Sequence, residues 1–144
     1  MNIVLKAKDI EENEIFFLDA IKNIIISNSK FIRIIYSNNN FTLNGIYLSC
    51  LIDNKDRKNN HGLYLYIQNL ENNILEKYSK YKLKSYKLRE YFNSYFINST
   101  NNITSSNEIN PYYYILKISG IWESDNNIGL TFKFIKVNKS LSIC

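Results

Sequence analysis

The sequence predicts an α+β, β-rich domain: a mostly antiparallel sheet or small barrel with one helix inserted at about residues 69–81. Three observations lead there. Runs of β-branched and aromatic residues alternate with short polar breaks along most of the chain, as in antiparallel strands. The last quarter holds two such runs, YYYILKISGIW and IGLTFKFIKV, joined by the polar stretch ESDNN, which reads as a long hairpin. Over residues 69–81 the apolar period changes to that of a helix, with Leu70, Ile74, Tyr78 and Tyr81 on one stripe.

Taken in order, residues 2–6 read as a short strand. In residues 11–26, Ile15, Leu18 and Ile21 have helical spacing, while Ile24, Ile25 and Ile26 are β-branched and suit a strand. The spacing is taken as a helix. Residues 30–37 (KFIRIIYS) alternate, with Ile32, Ile34 and Tyr36 on one face and Phe31, Arg33 and Ile35 on the other. After a polar break at Asn38, Asn39 and Asn40, residues 41–52 complete a hairpin. Gly45 within them predicts a bulge or bend, as where a strand curves around a barrel.

Residues 53–62 form a charged loop, and 63–68 (LYLYIQ) read as a compact strand with Leu63, Leu65 and Ile67 inward and Tyr64 and Tyr66 outward. The helix over 69–81 follows. Residues 82–97 mix signals: Tyr86, Glu90 and Asn93 have helical spacing, whereas Tyr91, Phe92, Tyr95 and Phe96 suit a strand. Residues 98–111 read as a flexible loop, and Pro111 bars helix at the residue before it. In the closing hairpin, Leu116, Ile118 and Trp122 match Ile128, Leu130, Phe132 and Phe134 as inward residues. Lys117 and Ser119 then point outward with Thr131 and Lys133. This order is compatible with an OB-like barrel, which places a helix between its third and fourth strands; a generic α+β sandwich is the alternative.

The 144 residues are read as a single domain, 1–144, large enough for a sizeable core. Hydrophobic and charged shares of 45% and 22% are ordinary for a globular protein. Asn, Ile, Lys and Tyr are favoured over Ala, Pro and Gly, as expected from an AT-rich genome. The net charge is +5, and residues 1–30 hold four basic and five acidic side chains, so the surplus lies in the remainder. Such a surplus attracts polyanions. Cys50 and Cys144 do not make a disulfide framework, no signal peptide is evident and no run is long enough to span a membrane. The expected location is intracellular.

Catalysis finds little support. The single histidine, His61, sits in a charged loop, no Cys/His cluster has zinc spacing and the four glycines are isolated. The chain is read as non-enzymatic, with no cofactor and no metal. The basic run in residues 77–89 (KYSKYKLKSYKLR) has no acid, and Tyr78, Tyr81 and Tyr86 are interleaved. Single-stranded nucleic acid needs this mixture, cations for phosphates and aromatic faces for bases. The expected phosphate contacts are Lys80, Lys82, Lys84, Lys87 and Arg89, with Tyr64 and Tyr66 for bases and Lys117 and Lys133 as an adjoining track. Trp122 is expected in the core. An acidic protein surface would suit the same residues, and a homo-oligomer is compatible.

Two stretches, FIRIIYSNNNFTLNGIYL (31–48) and ILKISGIWESDNNIGLTFKFIKV (115–137), together resemble small uncharacterised proteins of nucleocytoplasmic large DNA viruses, the giant viruses. The specific part is the SGIWE…GLTFKF block. Such viruses encode single-stranded DNA-binding proteins of OB type and small basic virion proteins. The resemblance therefore implies a viral accessory protein, acting in host cytoplasm, virus factory or virion, and carries over no catalytic residue. The chain departs from phage-type single-stranded DNA-binding proteins in ending KSLSIC, without their acidic tail. The function expected is single-stranded DNA binding; a structural or interaction protein is the alternative.

Overall fold

A computed structural model describes residues 3–22, 28–98 and 112–137. Their eight strands form one curled sheet, half of a barrel, with two helices against its inner face. The α+β, β-rich class is as expected. The loop expected from residue 98 to 111 lies outside the described residues except for Asn98, as do Ile24, Ile25, Ile26 and Cys144.

The helix expected over 11–26 is not found in the described part of that segment. Two 3-10 turns, Ala7–Asp9 and Glu12–Glu14, lead into β1 (Ile15–Phe17) and β2 (Ile21–Lys22). Both strands pair with one edge of β3 (Lys30–Ser37). Ile15, Phe16 and Phe17 fit a pleat, where branched and aromatic side chains pack on their neighbours, better than a helix turn. Leu5 bridges Leu48 in place of a longer strand.

The expected strand over 41–52 is broken into β4 (Thr42–Leu43) and β5 (Ile46–Ile52). Gly45 makes the break. Its φ of +121° is closed to ordinary side chains, and a Cβ there would stand 2.9 Å from the Ile118 carbonyl oxygen. Residues 30–33 of β3 pair with 120–123 of β7 (Tyr112–Glu123), and β5 pairs in the same direction with 112–118. β3 and β5 thus lie end to end along one edge of β7. Residues 34–45 form a hairpin excursion between them, and Arg33 closes its neck by donating from Nη1 to Asn44 Oδ1 at 3.0 Å.

β8 (Asn127–Val137) covers the other edge of β7. The hairpin is as the alternation suggests up to Ile118, but a bulge between Ile118 and Gly120 then shifts the register. Ile121 points inward in its place, opposite Leu130, and is fully buried. Trp122 is carried to the outer face, which corrects its expected place in the core.

The helix is longer than 69–81, starts earlier and ends sooner, so that Tyr81, expected on its apolar stripe, lies beyond it and is exposed. α1 spans Arg57–Tyr78, capped by Asp56, whose carboxylate accepts from the Asn59 amide at 3.0 Å. Residues 63–68 are therefore helix, and the expected strand there is corrected. Six residues of alternation cannot distinguish the two periods, whereas Asn60, Ile67, Leu70, Glu71, Ile74 and Leu75 make one buried stripe at helical spacing. Asn60 ties the first turn to the end of β5, accepting from the Asp53 amide at 3.1 Å and donating to its carbonyl at 2.8 Å.

After α1, β6 (Leu83–Ser85) pairs parallel with β8, and α2 (Lys87–Phe92) continues as a π-helical stretch, Asn93–Asn98. The core lies between the inner face and these helices. Ile32, Ile34, Leu48, Leu116 and Ile118 from the sheet meet Ile67, Ile74 and Leu75 of α1 and Leu88 and Phe92 of α2, all at most 1% exposed. Cys50 is among them, and burial pushes its thiol up to about 12, as suits a small core hydrophobe.

Candidate nucleic-acid interface

The basic run of residues 77–89 is largely drawn into the protein's own structure. Lys77 Nζ donates to the carbonyls of Glu12 and Ile15, both at 2.7 Å. Lys82 pairs with Glu123 at 2.7 Å and donates to the Ser124 carbonyl at 2.8 Å. Burial disfavours the charged form of Glu123, but Lys82 and the Tyr78 hydroxyl outweigh it and hold that carboxyl below its ordinary range. The Lys84 side chain is 9% exposed and meets Glu76 at 3.4 Å. Lys87 is exposed beside Glu90, 3.5 Å away.

Arg89 is bound most closely. Its Nε donates to the buried Glu71 carboxylate at 3.2 Å, an Nη2–H reaches the Gln68 carbonyl, and the guanidinium lies 3.8 Å from the Tyr86 ring centroid. Glu71 also accepts from the amides of Leu88 and Arg89, so it caps α2 from α1. Of these expected phosphate contacts, Lys80 is exposed with no partner among the described residues, while Lys82 and Lys84 serve the helix-to-sheet joint and Arg89 ties α2 to α1.

Tyr64 and Tyr66 do not share a surface. Two residues apart on α1, they point roughly 200° apart around the helix. Tyr64 is held between the rings of His61 and Phe92. Tyr66 is half-buried, and burial pushes its hydroxyl up to about 12.

Lys117 and Lys133 are placed differently. They stand directly opposite each other on β7 and β8, and Tyr47 of β5 stands opposite Lys117 on its other side. The Lys117 ammonium lies 5.6 Å from the Tyr47 ring centroid. This row lies on the outer face, away from α1 and α2. Neighbouring rows there are Ser49, Ile115 and Ile135, then Leu51, Tyr113 and Val137. Beyond the bulge come Arg33, Gly120 and Thr131, then Ile21, Phe31, Trp122 and Gly129. None of these residues is acidic.

Two glycines lay aromatic rings across the sheet. A Cβ at Gly120 would stand 2.7 Å from the Phe31 ring, and one at Gly129 would stand 2.5 Å from the Trp122 indole. Both rings stay partly exposed. The face thus combines Tyr47, Tyr113, Phe31 and Trp122 with Lys117, Lys133 and Arg33. Sequence reasoning missed Phe31, Tyr47, Trp122 and Arg33 as partners of the two lysines. The available signal was the pair Gly120 and Gly129, since an interior glycine in a strand marks the close approach of another group.

What this arrangement offers chemically is a curved surface of uncharged and positive side chains set with flat rings. His61 is exposed and stacks on Tyr64. Among the described residues no three His, Cys, Asp or Glu side chains gather as metal ligands, and no helix is long and apolar enough to cross a membrane. No protein-family model, no curated protein and no solved structure matches the chain.

Proposed function

We propose that the outer face of the curled sheet binds single-stranded nucleic acid, with Lys117, Lys133 and Arg33 facing phosphates and Tyr47, Trp122 and Phe31 facing bases. The observation that carries this reading is the position of Lys117. It lies on a strand paired along both edges, directly opposite a second lysine, with no carboxylate in its row. A cation at a sheet edge discourages unwanted pairing, but β7 has no free edge here to protect. Like charges directly opposite each other weaken a sheet, so the pair suits an anion that lies over it. Stacked bases would add about 1–3 kcal/mol each.

The test is a salt titration with a short single-stranded oligonucleotide, DNA and RNA in parallel. Affinity is expected to fall steeply with salt. In the variant Lys117→Gln/Lys133→Gln the slope of log affinity against log salt is expected to shrink by about 1.4, the value for two lost phosphate contacts. Absence of binding at low salt overturns the reading. The resemblance to giant-virus proteins suggests the host cytoplasm or a virus factory as the setting.

A second reading is favoured by the sheet's far edge. Phe16, Leu18 and Ile21 on and beside β1 and β2 are 51%, 50% and 59% exposed. An apolar edge of this kind suits a protein partner or a second copy of the chain, as in a structural or assembly role. Concentration-dependent size-exclusion chromatography of the wild type and of Leu18→Lys/Ile21→Lys distinguishes it.

A further inference from the structure

Beside this face, one residue further along the same strands, lies a second concentration of cations. Lys22 on β2 stands directly opposite Lys30 on β3, and Lys30 stands opposite Glu123 on β7. Together with Lys82 they line a cavity of about 390 Å³ at the rim of the half-barrel. A second cavity of about 430 Å³, lined in part by Trp122, shares Asn28, Ser29, Ser124 and Asp125 with the first. The two adjoin along these four residues, with the Trp122 indole on one side and the lysines on the other, and together make the rim groove. Each volume is in the ordinary range for small-ligand sites, about 300–1,000 Å³.

The charges in the groove are unequally committed. Glu123 is taken by the Lys82 ammonium at 2.7 Å and by the Tyr78 hydroxyl at 2.9 Å. Lys22 and Lys30 make no ion pair among the described residues, although the Lys30 charge, opposite Glu123, also helps to hold that carboxyl low. Asp125, in the turn between β7 and β8, is the other acid among the described lining residues, where the lysines exceed the carboxylates by one. As with Lys117 and Lys133, two lysines directly opposite one another weaken the sheet unless an anion lies between them.

We propose that this rim groove receives the terminal phosphate of a bound strand, with the terminal base beside Trp122 and the phosphate between Lys22 and Lys30. The inference rests on the reading of the outer face as a nucleic-acid surface and names which part of the strand the rim selects. Charge decides for a terminus. A phosphate monoester carries about −1.5 to −2 at neutral pH, whereas an internal diester carries one negative charge. The monoester gains more from the ammonium groups of Lys22 and Lys30, neither of which makes an ion pair among the described residues.

The experiment compares one short oligonucleotide in three forms: hydroxyl at both ends, 5′-phosphorylated and 3′-phosphorylated. The chain has one tryptophan, so Trp122 fluorescence reads binding at the groove without an end label. One phosphorylated form is expected to bind about tenfold more tightly than the hydroxyl form, the effect of about one charge-assisted contact. In Lys22→Gln/Lys30→Gln that advantage is expected to vanish, with affinity for the hydroxyl form nearly unchanged. In Lys22→Arg/Lys30→Arg it is expected to persist, and thermal unfolding of both variants confirms the fold. Equal binding of all three forms by the wild type overturns the rim inference and leaves the face reading standing. An advantage that survives Lys22→Gln/Lys30→Gln also overturns it. Binding of none of the three overturns both.

Discussion

The indole of Trp122 on β7 lies across Gly129 on β8, its directly registered partner, and fills the space a side chain there would take. A bulge two residues earlier puts the indole on the outer face, and the glycine lets it approach the sheet. The two features depend on each other: without the glycine, the ring would have to stand away from the backbone.

Gly129→Ala is therefore expected to displace the indole and destabilise the protein by about 1–3 kcal/mol, the usual cost of an inserted group in a packed site. Urea unfolding measures the loss. A shift of the Trp122 emission maximum in the folded state reports the displaced ring, since no other tryptophan contributes.

Lys133→Glu is expected to move stability and binding in opposite directions. An acid opposite Lys117 replaces a repulsive cross-strand pair by an attractive one, which is worth about 0.2–1 kcal/mol. The same change removes a proposed phosphate contact and adds a negative charge to the face. A higher urea midpoint with weaker oligonucleotide binding is the expected result. A surface lysine of no functional consequence would raise stability and leave binding unchanged.

Glu71 joins α1 to α2, so its removal is expected to cost far more than a surface acid. It is fully buried, accepts from the amides that open α2 and pairs with Arg89. Glu71→Ala leaves the Arg89 guanidinium and two amides without their acceptor, at about 3–5 kcal/mol. Glu71→Gln, which keeps one carbonyl acceptor, is expected to lose less. Equilibrium denaturation of the two variants gives the order.

Acid sensitivity should centre on Glu123. Lys82 and Tyr78 hold its carboxyl below the ordinary value despite the opposing effect of burial. A carboxyl lowered in the folded state contributes stability above its unfolded pKa, about 4.3, and that stability is lost as pH falls through the lower folded value. The stability difference between wild type and Glu123→Gln is thus expected to be largest near pH 7 and to shrink below pH 4. Urea midpoints across this range check the sign.

Several elements were legible in the residues because their cause is local. Alternation in residues 30–37 reports a half-buried strand, and Ile32, Ile34 and Tyr36 are the buried set. Gly45 announced a bend because only its lack of a side chain admits that backbone. The stripe through Leu70 and Ile74 announced α1, but its start was misread. Leu63 to Gln68 alternate over too few residues for the period to be decided, and the cap at Asp56 lay among other polar residues.

The candidate site was less legible. A run of lysines and tyrosines looks alike in sequence whether it faces solvent or is consumed by neighbours. Lys82, Lys84 and Arg89 found Glu123, Glu76 and Glu71, partners up to 41 positions away, for which no spacing rule exists. Lys117 and Lys133 kept their expected outward direction because alternation alone places them.

By itself, then, the sequence determined the β-rich class, the helix in its middle, the core face of the long strands up to the β7 bulge and the outward direction of two lysines. These follow from periodicity and backbone chemistry, which act over a few residues. Tertiary structure alone decided that Trp122 faces outward, that the basic run is mostly engaged, and that Lys22 and Lys30 adjoin the turn after β7. Those outcomes depend on a bulge and on strand pairings between distant segments, where register decides what each side chain meets.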